Sequence, residues 1–236
     1  MELFNTLFGI EAEAVQRSCI IMPFVTKEVL REFGVEELSR GKLYGAGNGE
    51  FCTIFHTRMG PSFTGDAVLY LSETACRQLF FLGTCGLLPG TMELKIGSLV
   101  SPFLSYAQES FTSLLSGATS IGEGMSSDWL LHGGLISLGE EEDIANVTGI
   151  SVGSLKLQEE MMVGWREKGI QVVDMESAAF LAAARRIKRP AAVLMAVSDI
   201  VGEGLWNGER SREITERSLE RGARILCGII SGKQSG

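Results

Sequence analysis

The chain has 236 residues, 45% of them hydrophobic and 21% charged, with a formal net charge of −8 and a sequence pI near 5.0. That composition supplies a substantial core and excludes a disordered chain, and the length favours one domain over two. The acidic balance argues against duplex nucleic acid or an anionic membrane as the main partner and suits a small polar metabolite.

The five cysteines, Cys19, Cys52, Cys76, Cys85 and Cys227, are scattered and form no C-x-x-C pair. They offer neither a disulfide framework nor a zinc site and suit a reducing cytosol. The opening MELFNTLFGIEAEAV carries acids and no basic stretch, so it does not read as a secretory signal. Arg185, Arg186, Lys188 and Arg189 interrupt the best apolar run before it reaches membrane-spanning length. A cytoplasmic location is expected.

In chain order, SCIIMPF (18–24) is a short apolar run ended by proline and predicts a buried strand. TKEVLREFG predicts a helix with Thr26 as N-cap and Gly34 beyond its end. KLYGAGNGEFCTIFHTRMG predicts a hairpin turning at Gly-Asn-Gly. The spacing of Gly45 and Gly47 is followed by a strand, which argues against a dinucleotide loop. SFTGDAVLYLSETACRQ reads as a helix, LFFLGTCGLLPG as a buried strand running into a glycine-rich loop, and IGSLVSPF as another strand. Residues 105–145, rich in Gly and Ser, are expected to be loop with one helix.

NVTGISVGSL resumes strand character, KLQEEMMVGWREKG is helical, IQVVDM is a strand, and ESAAFLAAARRIK is a helix stopped by Pro190. AAVLMAVSD is a strand and IVGEGLWNGE a loop in which Trp206 reads as surface. A closing helix places Leu219, Gly222, Ala223, Leu226 and Ile230 on one stripe. Strands alternating with helices argue for a layered α/β fold around a mostly parallel sheet, which the hairpin makes mixed.

Ligands of open α/β sheets gather at the carboxyl ends of strands. Three predicted strands end in polar groups there: Gly83-Thr84-Cys85-Gly86, Asp174-Met175-Glu176, and Ser198-Asp199. Glycines let backbone N–H groups approach a ligand, Glu176 offers two acceptor oxygens to paired hydroxyls, and Asp199 can carry a proton in a dry site. Each has a plainer reading as well: either acid of the 174–176 pair could serve a helix terminus, and Ser198-Asp199 is also a capping pattern.

VVDMESAAFLAAA with the later VSD resembles the signature of the nucleoside phosphorylase and nucleosidase superfamily, which includes purine nucleoside phosphorylases, uridine phosphorylases and methylthioadenosine nucleosidases. FFLGTCGLLPGTMELKIGSLVSPF resembles that family's glycine loop and following strand, and TRMGPSFTG its Thr-Gly-Met-Gly-x-Pro-Ser segment with one residue deleted. NVTGISVGSL is similar to the strand leading to the base pocket. The likeness runs from about residue 18 to the C-terminus.

The resemblance implies a three-layer α/β/α sandwich with a central mixed, mostly parallel β-sheet, residues 1–236 forming a single nucleoside phosphorylase-like domain. It implies assembly as dimer, trimer or hexamer, and cleavage of the N-glycosidic bond with phosphate or water and without metal or cofactor. By position, Asp199 would be catalytic, protonating a purine base as it leaves. Glu176 would bind the ribose hydroxyls over Met175. Ser198, Gly86 and Val173 would line the base pocket, with Leu155 near the place of the usual aromatic.

Two departures bear on the nucleophile. MPFVTKE stands where bacterial-type phosphorylases of the family carry Gly-Asp-Pro-x-Arg, and Phe81 replaces a second phosphate arginine. Arg58 and Thr84 form a substitute phosphate site in this reading, with His56 on the Arg58 face by strand alternation. For the hydrolytic branch, Glu28, Glu11 or Glu13 would have to activate water. Phosphorolysis of a purine-type nucleoside with a modified phosphate site leads. A water-using nucleosidase and a non-catalytic nucleoside-binding relative remain as alternatives.

Overall fold

A computed structural model of the chain describes residues 2–90, 93–116, 124–156, 158–203 and 208–232. Helix α1 (Glu2–Phe8) leads to β1 (Ser18–Met22), α2 (Lys27–Glu32), the short β2 (Ser39–Arg40), and the strands β3 (Gly45–Asn48) and β4 (Thr53–His56). Then come α3 (Pro61–Tyr70), β5 (Gln78–Leu87), β6 (Leu99–Gln108), α4 (Ser110–Ser116), β7 (Met125–Ser126) and α5 (Trp129–Glu142). The rest is β8 (Ile144–Val152), α6 (Gln158–Glu167), β9 (Val172–Asp174), α7 (Ser177–Arg186), β10 (Ala191–Ile200) and α8 (Gly208–Ser231).

The strands form one mixed sheet ordered β10-β6-β8-β9-β5-β1-β4-β3-β2, with β7 on β6 and a further pairing of β10 to β5. That last pairing closes β5, β10, β6, β8 and β9 into a ring, from which β1, β4, β3 and β2 extend as an open wing. The longest ladders, β5 on β10 and β6 on β8, are parallel. The hairpin of β3 and β4 is antiparallel.

Helices cover both faces. On one, α3, α4 and α7 pack over Phe81, Val193 and Met195; on the other, α2, α5 and α8 pack over Phe80, Leu82 and Leu194. Successive side chains of a strand point to opposite faces, so a strand covered on both sides must be apolar throughout. This is why LFFL and AAVLMAV read as unbroken apolar runs. Each large side chain so buried contributes about 1.5–3 kcal/mol relative to exposure.

The local signals work as chemistry demands. Thr26 Oγ1 accepts the Val29 N–H at 3.2 Å, and Gly34 takes the left-handed φ of 72° that ends α2. On α8, a Cβ at Gly222 would lie 3.0 Å from Leu82 and 3.3 Å from Leu194, so glycine sets how closely that helix approaches the sheet. Gly65 does the same between α3 and α4, where a Cβ would run into the Phe111 ring. Gly65→Ala is expected to destabilise the protein by about 1–3 kcal/mol through overpacking, read as a lowered urea midpoint at unchanged slope.

Several expectations are corrected. Gly83–Gly86 is not a loop: β5 runs on through Leu87. Among the described residues, 105–145 hold the end of β6, two helices, the short β7 and the start of β8. A polar residue hid the end of β6: Ser105 is buried there, with its Oγ 3.0 Å from Ser177 Oγ. Helix α3 stops at Tyr70, followed by a single 3₁₀ turn, and α8 starts at Gly208. Helix α1, which the sequence reading left unassigned, is anchored by Phe8 against Phe4, Tyr44 and Phe55. Trp206, with the rest of 204–207, lies outside the described residues, as do 91–92, 117–123 and 157. Among the described residues no helix is long and apolar enough to cross a membrane.

Candidate active site

A small cavity of about 50 Å³ lies beyond the carboxyl ends of β1 and β4, over the last residues of β5 and β10 and against the turn from β9 into α7. Larger hollows exist, one of about 670 Å³ beside Arg166 and Gly90, but the carboxylates at strand ends converge only on the small one. Of the nine expected site residues, eight line it: Thr84, Gly86, Leu155, Val173, Met175, Glu176, Ser198 and Asp199. Phe24, Met59, Cys85, Gln158 and Asp174 complete the lining. Arg58 does not belong to it.

A bulge aims Asp199. In the parallel β5–β10 ladder Val197 pairs with Cys85 but Asp199 pairs with Gly86, which leaves Ser198 as an extra residue. A one-residue slip turns every following side chain to the opposite face. Val197 and Cys85 therefore share the α7-side core, whereas Asp199 shares the Gly86 side. There a Cβ on Gly86 would come 3.3 Å from Asp199 Oδ2, so a residue without a side chain leaves that oxygen open to the cavity. Ser198 Oγ donates to Asp199 Oδ1 at 2.6 Å and lies 3.2 Å from the Cys85 carbonyl. Both residues sit inside β10, so the capping alternative for Ser198-Asp199 does not apply. Burial pushes the Asp199 carboxyl above its ordinary value, against a smaller downward pull from the Ser198 hydroxyl.

The two acids of the β9–α7 turn divide their tasks. Asp174 is the helix-terminus group: its Oδ1 accepts the N–H groups of Glu176 and Ser177, both at 2.7 Å, and the Ser151 hydroxyl at 2.8 Å. Glu176 stands at the N-cap position but caps nothing. Its Oε1 accepts the Gly60 N–H at 2.6 Å, and the Met175 backbone pulls on the carboxyl more weakly. Burial, reinforced by the neighbouring Asp174 charge, pushes Glu176 up to about 8. The Cys85 thiol is raised for the same reasons, burial first and then Asp174 and Asp199.

The loop before α3 is held in unusual backbone. Gly60 has φ 116° and Arg58 φ 66°, the left-handed region that favours glycine. Strand β4 ends at His56, so the alternation expected to align His56 and Arg58 no longer governs. Arg58 is exposed. The half-buried His56 is lowered by burial, and the Arg58 charge adds to that lowering against a bond at the Pro23 backbone. None of Glu11, Glu13 and Glu28 reaches the cavity; all three are exposed, and Glu28 pairs with Arg31 at 3.6 Å.

Met59 and Gln158 were missed by sequence reasoning because each enters from just beyond a strand end or from a helix start, where no periodicity points inward; Phe24, of the MPFVTKE segment, also lines the cavity. A carboxyl raised by burial, as at Asp199, can carry and donate a proton, and the Glu176 carboxyl facing the cavity can accept hydroxyls. Among the described residues no group of His, Cys, Asp and Glu is placed to hold a metal ion.

The layered fold and this cavity together define an α/β protein of phosphorylase type. The sequence profile of the phosphorylase superfamily matches residues 8–231, and the chain belongs to that superfamily. No curated protein sequence matches it. Among solved structures, it is similar to uridine phosphorylase from Vibrio fischeri, with TM-score 0.78 and 19% identity over 94% of this chain and 93% of that one. Purine nucleoside phosphorylase from Toxoplasma gondii in complex with immucillin-H gives 0.75 and 18% over 94% and 95%. A 5'-methylthioadenosine/S-adenosyl homocysteine nucleosidase from Campylobacter jejuni gives 0.73 and 15% over 93% and 100%. At these identities the structural likeness is one of fold.

Proposed function

We propose that this chain cleaves the N-glycosidic bond of a purine-type nucleoside, with Asp199 donating a proton to the departing base and Glu176 holding the ribose hydroxyls. The observation that carries this reading is the bulge at Ser198, which places Asp199 on one cavity wall with Gly86 and Val173 while Glu176 faces the same space from the start of α7. As the glycosidic bond stretches, the sugar gains positive charge and the base negative charge. A buried acid at Asp199 neutralises the base, an effect of about 10²–10⁴-fold, and a carboxylate at the sugar stabilises the developing cation and fixes its orientation. Met175 packs beneath the sugar, and Leu155 and Ser198 complete the base wall.

The lining supports water as nucleophile. Among the described residues it carries three carboxyl side chains, Asp174, Glu176 and Asp199, and neither Lys nor Arg. A phosphate dianion there would meet no counter-charge. Phosphorolysis, the reading favoured by the sequence, keeps one specific support: Arg58 adjoins Met59 at the cavity edge, and Thr84 offers a hydroxyl within. Turnover of a nucleoside panel with and without phosphate, following free base, free sugar and sugar phosphate, separates the two. The expected result is base release at equal rates in both conditions; a rate requiring phosphate, with sugar phosphate as product, would overturn hydrolysis and return Arg58 to the site. Binding without release from any nucleoside in the panel would defeat both.

A further inference from the structure

The two carboxyls of the β9–α7 turn are buried two residues apart, yet their hydrogen bonds are unequal. Asp174 Oδ1 takes three donors, the N–H groups of Glu176 and Ser177 and the Ser151 hydroxyl. Asp174 Oδ2 takes the Ser177 hydroxyl. The serines are locked in turn: Ser177 Oγ lies 3.0 Å from Ser105 Oγ on β6, and Ser151 Oγ accepts the Ala178 N–H at 2.8 Å. Backbone N–H groups cannot reverse into acceptors, so this cradle fits a carboxylate. Glu176 has one such bond, from Gly60 at the start of α3, with a weaker pull from the Met175 backbone.

We propose that Asp174 is the charge partner of Glu176: the pair holds one proton at neutral pH, with the charge on Asp174 and the proton on Glu176, so the empty sugar site presents a neutral carboxylic acid. Two like charges this close in a buried turn cannot both be carried cheaply. The donors decide which group is ionised. The groups facing Glu176 are Asp174 from β9, the Gly60 N–H from α3, Asp199 from β10 and the neutral Cys85 thiol from β5; no Lys or Arg lines the cavity among the described residues. Burial raises both acids, and its pull on Asp174 is opposed by the Ser177, Ser151 and Glu176 donors. Asp174 is thus a positioning residue, fixing the backbone of Glu176 and its protonation state. The consequence for ribose binding rests on the nucleoside reading, whereas the test below needs no ligand.

Infrared difference spectra of the unliganded protein, wild type minus Glu176→Gln, report the carbonyl stretch of a protonated Glu176 directly. The band is expected at neutral pH and is expected to titrate away through about pH 8. In the Asp174→Asn background the same difference should show a midpoint lower by at least one pH unit. The introduced asparagine keeps an oxygen for Ser151 and the two N–H groups, and its amide can donate to Ser177 Oγ, so the turn should survive; thermal unfolding checks this. Ser151→Ala is the second variant: it removes one donor from Asp174, shifts proton share onto Asp174, and should lower the Glu176 midpoint too. A wild-type difference without the band at neutral pH would overturn the proposal, as would a midpoint that moves in neither background. A purely structural role for Asp174 predicts that unmoved midpoint. Loss of the nucleoside reading alone would leave these spectra unchanged.

Discussion

Replacing Asp199 with asparagine is expected to cut turnover of a purine-type nucleoside about 10²–10⁴-fold and to leave the fold intact. Asparagine retains an oxygen for the Ser198 hydroxyl that now donates to Oδ1, so the bulge persists and only the transferable proton is lost. A general acid matters in proportion to how poorly the leaving group departs unaided. The loss should therefore shrink to within about tenfold on a nitrophenyl riboside, whose phenolate leaves without protonation. The pH dependence carries a sign. Burial raises the Asp199 carboxyl, so the acid form persists to higher pH than for an exposed aspartate, and kcat/KM should fall as pH climbs through that raised value. Asp199→Asn should lack this descending limb. Equal losses on both leaving groups, or a limb that survives the substitution, would remove Asp199 from the role of acid.

How far this site could be read without a structure depends on what places each residue. Glu176 and Asp199 were legible because each ends an apolar run, where a polar side chain has no packing reason to stand. The layers were legible for a related reason: strands buried on both faces leave continuous apolar runs, and α8 shows its stripe at Leu219, Gly222, Ala223 and Leu226, all buried against the sheet. The bulge was not legible. It exists only in the pairing of Val197 with Cys85 and Asp199 with Gly86, between strands far apart in the chain, and no local pattern encodes such a slip. The alignment of His56 with Arg58 rested on a rule that holds only inside a strand, and β4 ends at His56, before Arg58. Strand β6 was cut short because Ser105 looks like loop until its buried partner is known.

Glu176→Gln is expected to do two things that pull in opposite directions. Catalytically, a neutral amide cannot supply the charge-assisted bonds to the sugar hydroxyls that Glu176 makes once its proton is lost, about 1.5–3 kcal/mol, or roughly 10–150-fold in kcat/KM. That loss should appear on ribonucleosides and largely vanish on substrates lacking the hydroxyls, since those never made the bonds. For stability the sign reverses. The folded protein holds the Glu176 proton up to about pH 8, whereas an unfolded glutamate releases it in the ordinary carboxylate range. The folded state therefore binds more protons between those limits, and wild-type stability is full below the unfolded value and declines as pH rises towards 8. Glutamine has no proton to lose and can still accept the Gly60 N–H. The variant should match wild type below about pH 4 and exceed it near about pH 8 by at least about 1 kcal/mol, the worth of one pKa unit, or about 2–4 °C in Tm for a domain of this size. A stabilising substitution that disables the sugar site would mark Glu176 as a residue kept for chemistry against the preference of the fold. Equal losses on substrates with and without ribose hydroxyls would contradict the sugar role, and a Tm difference independent of pH would contradict the raised carboxyl.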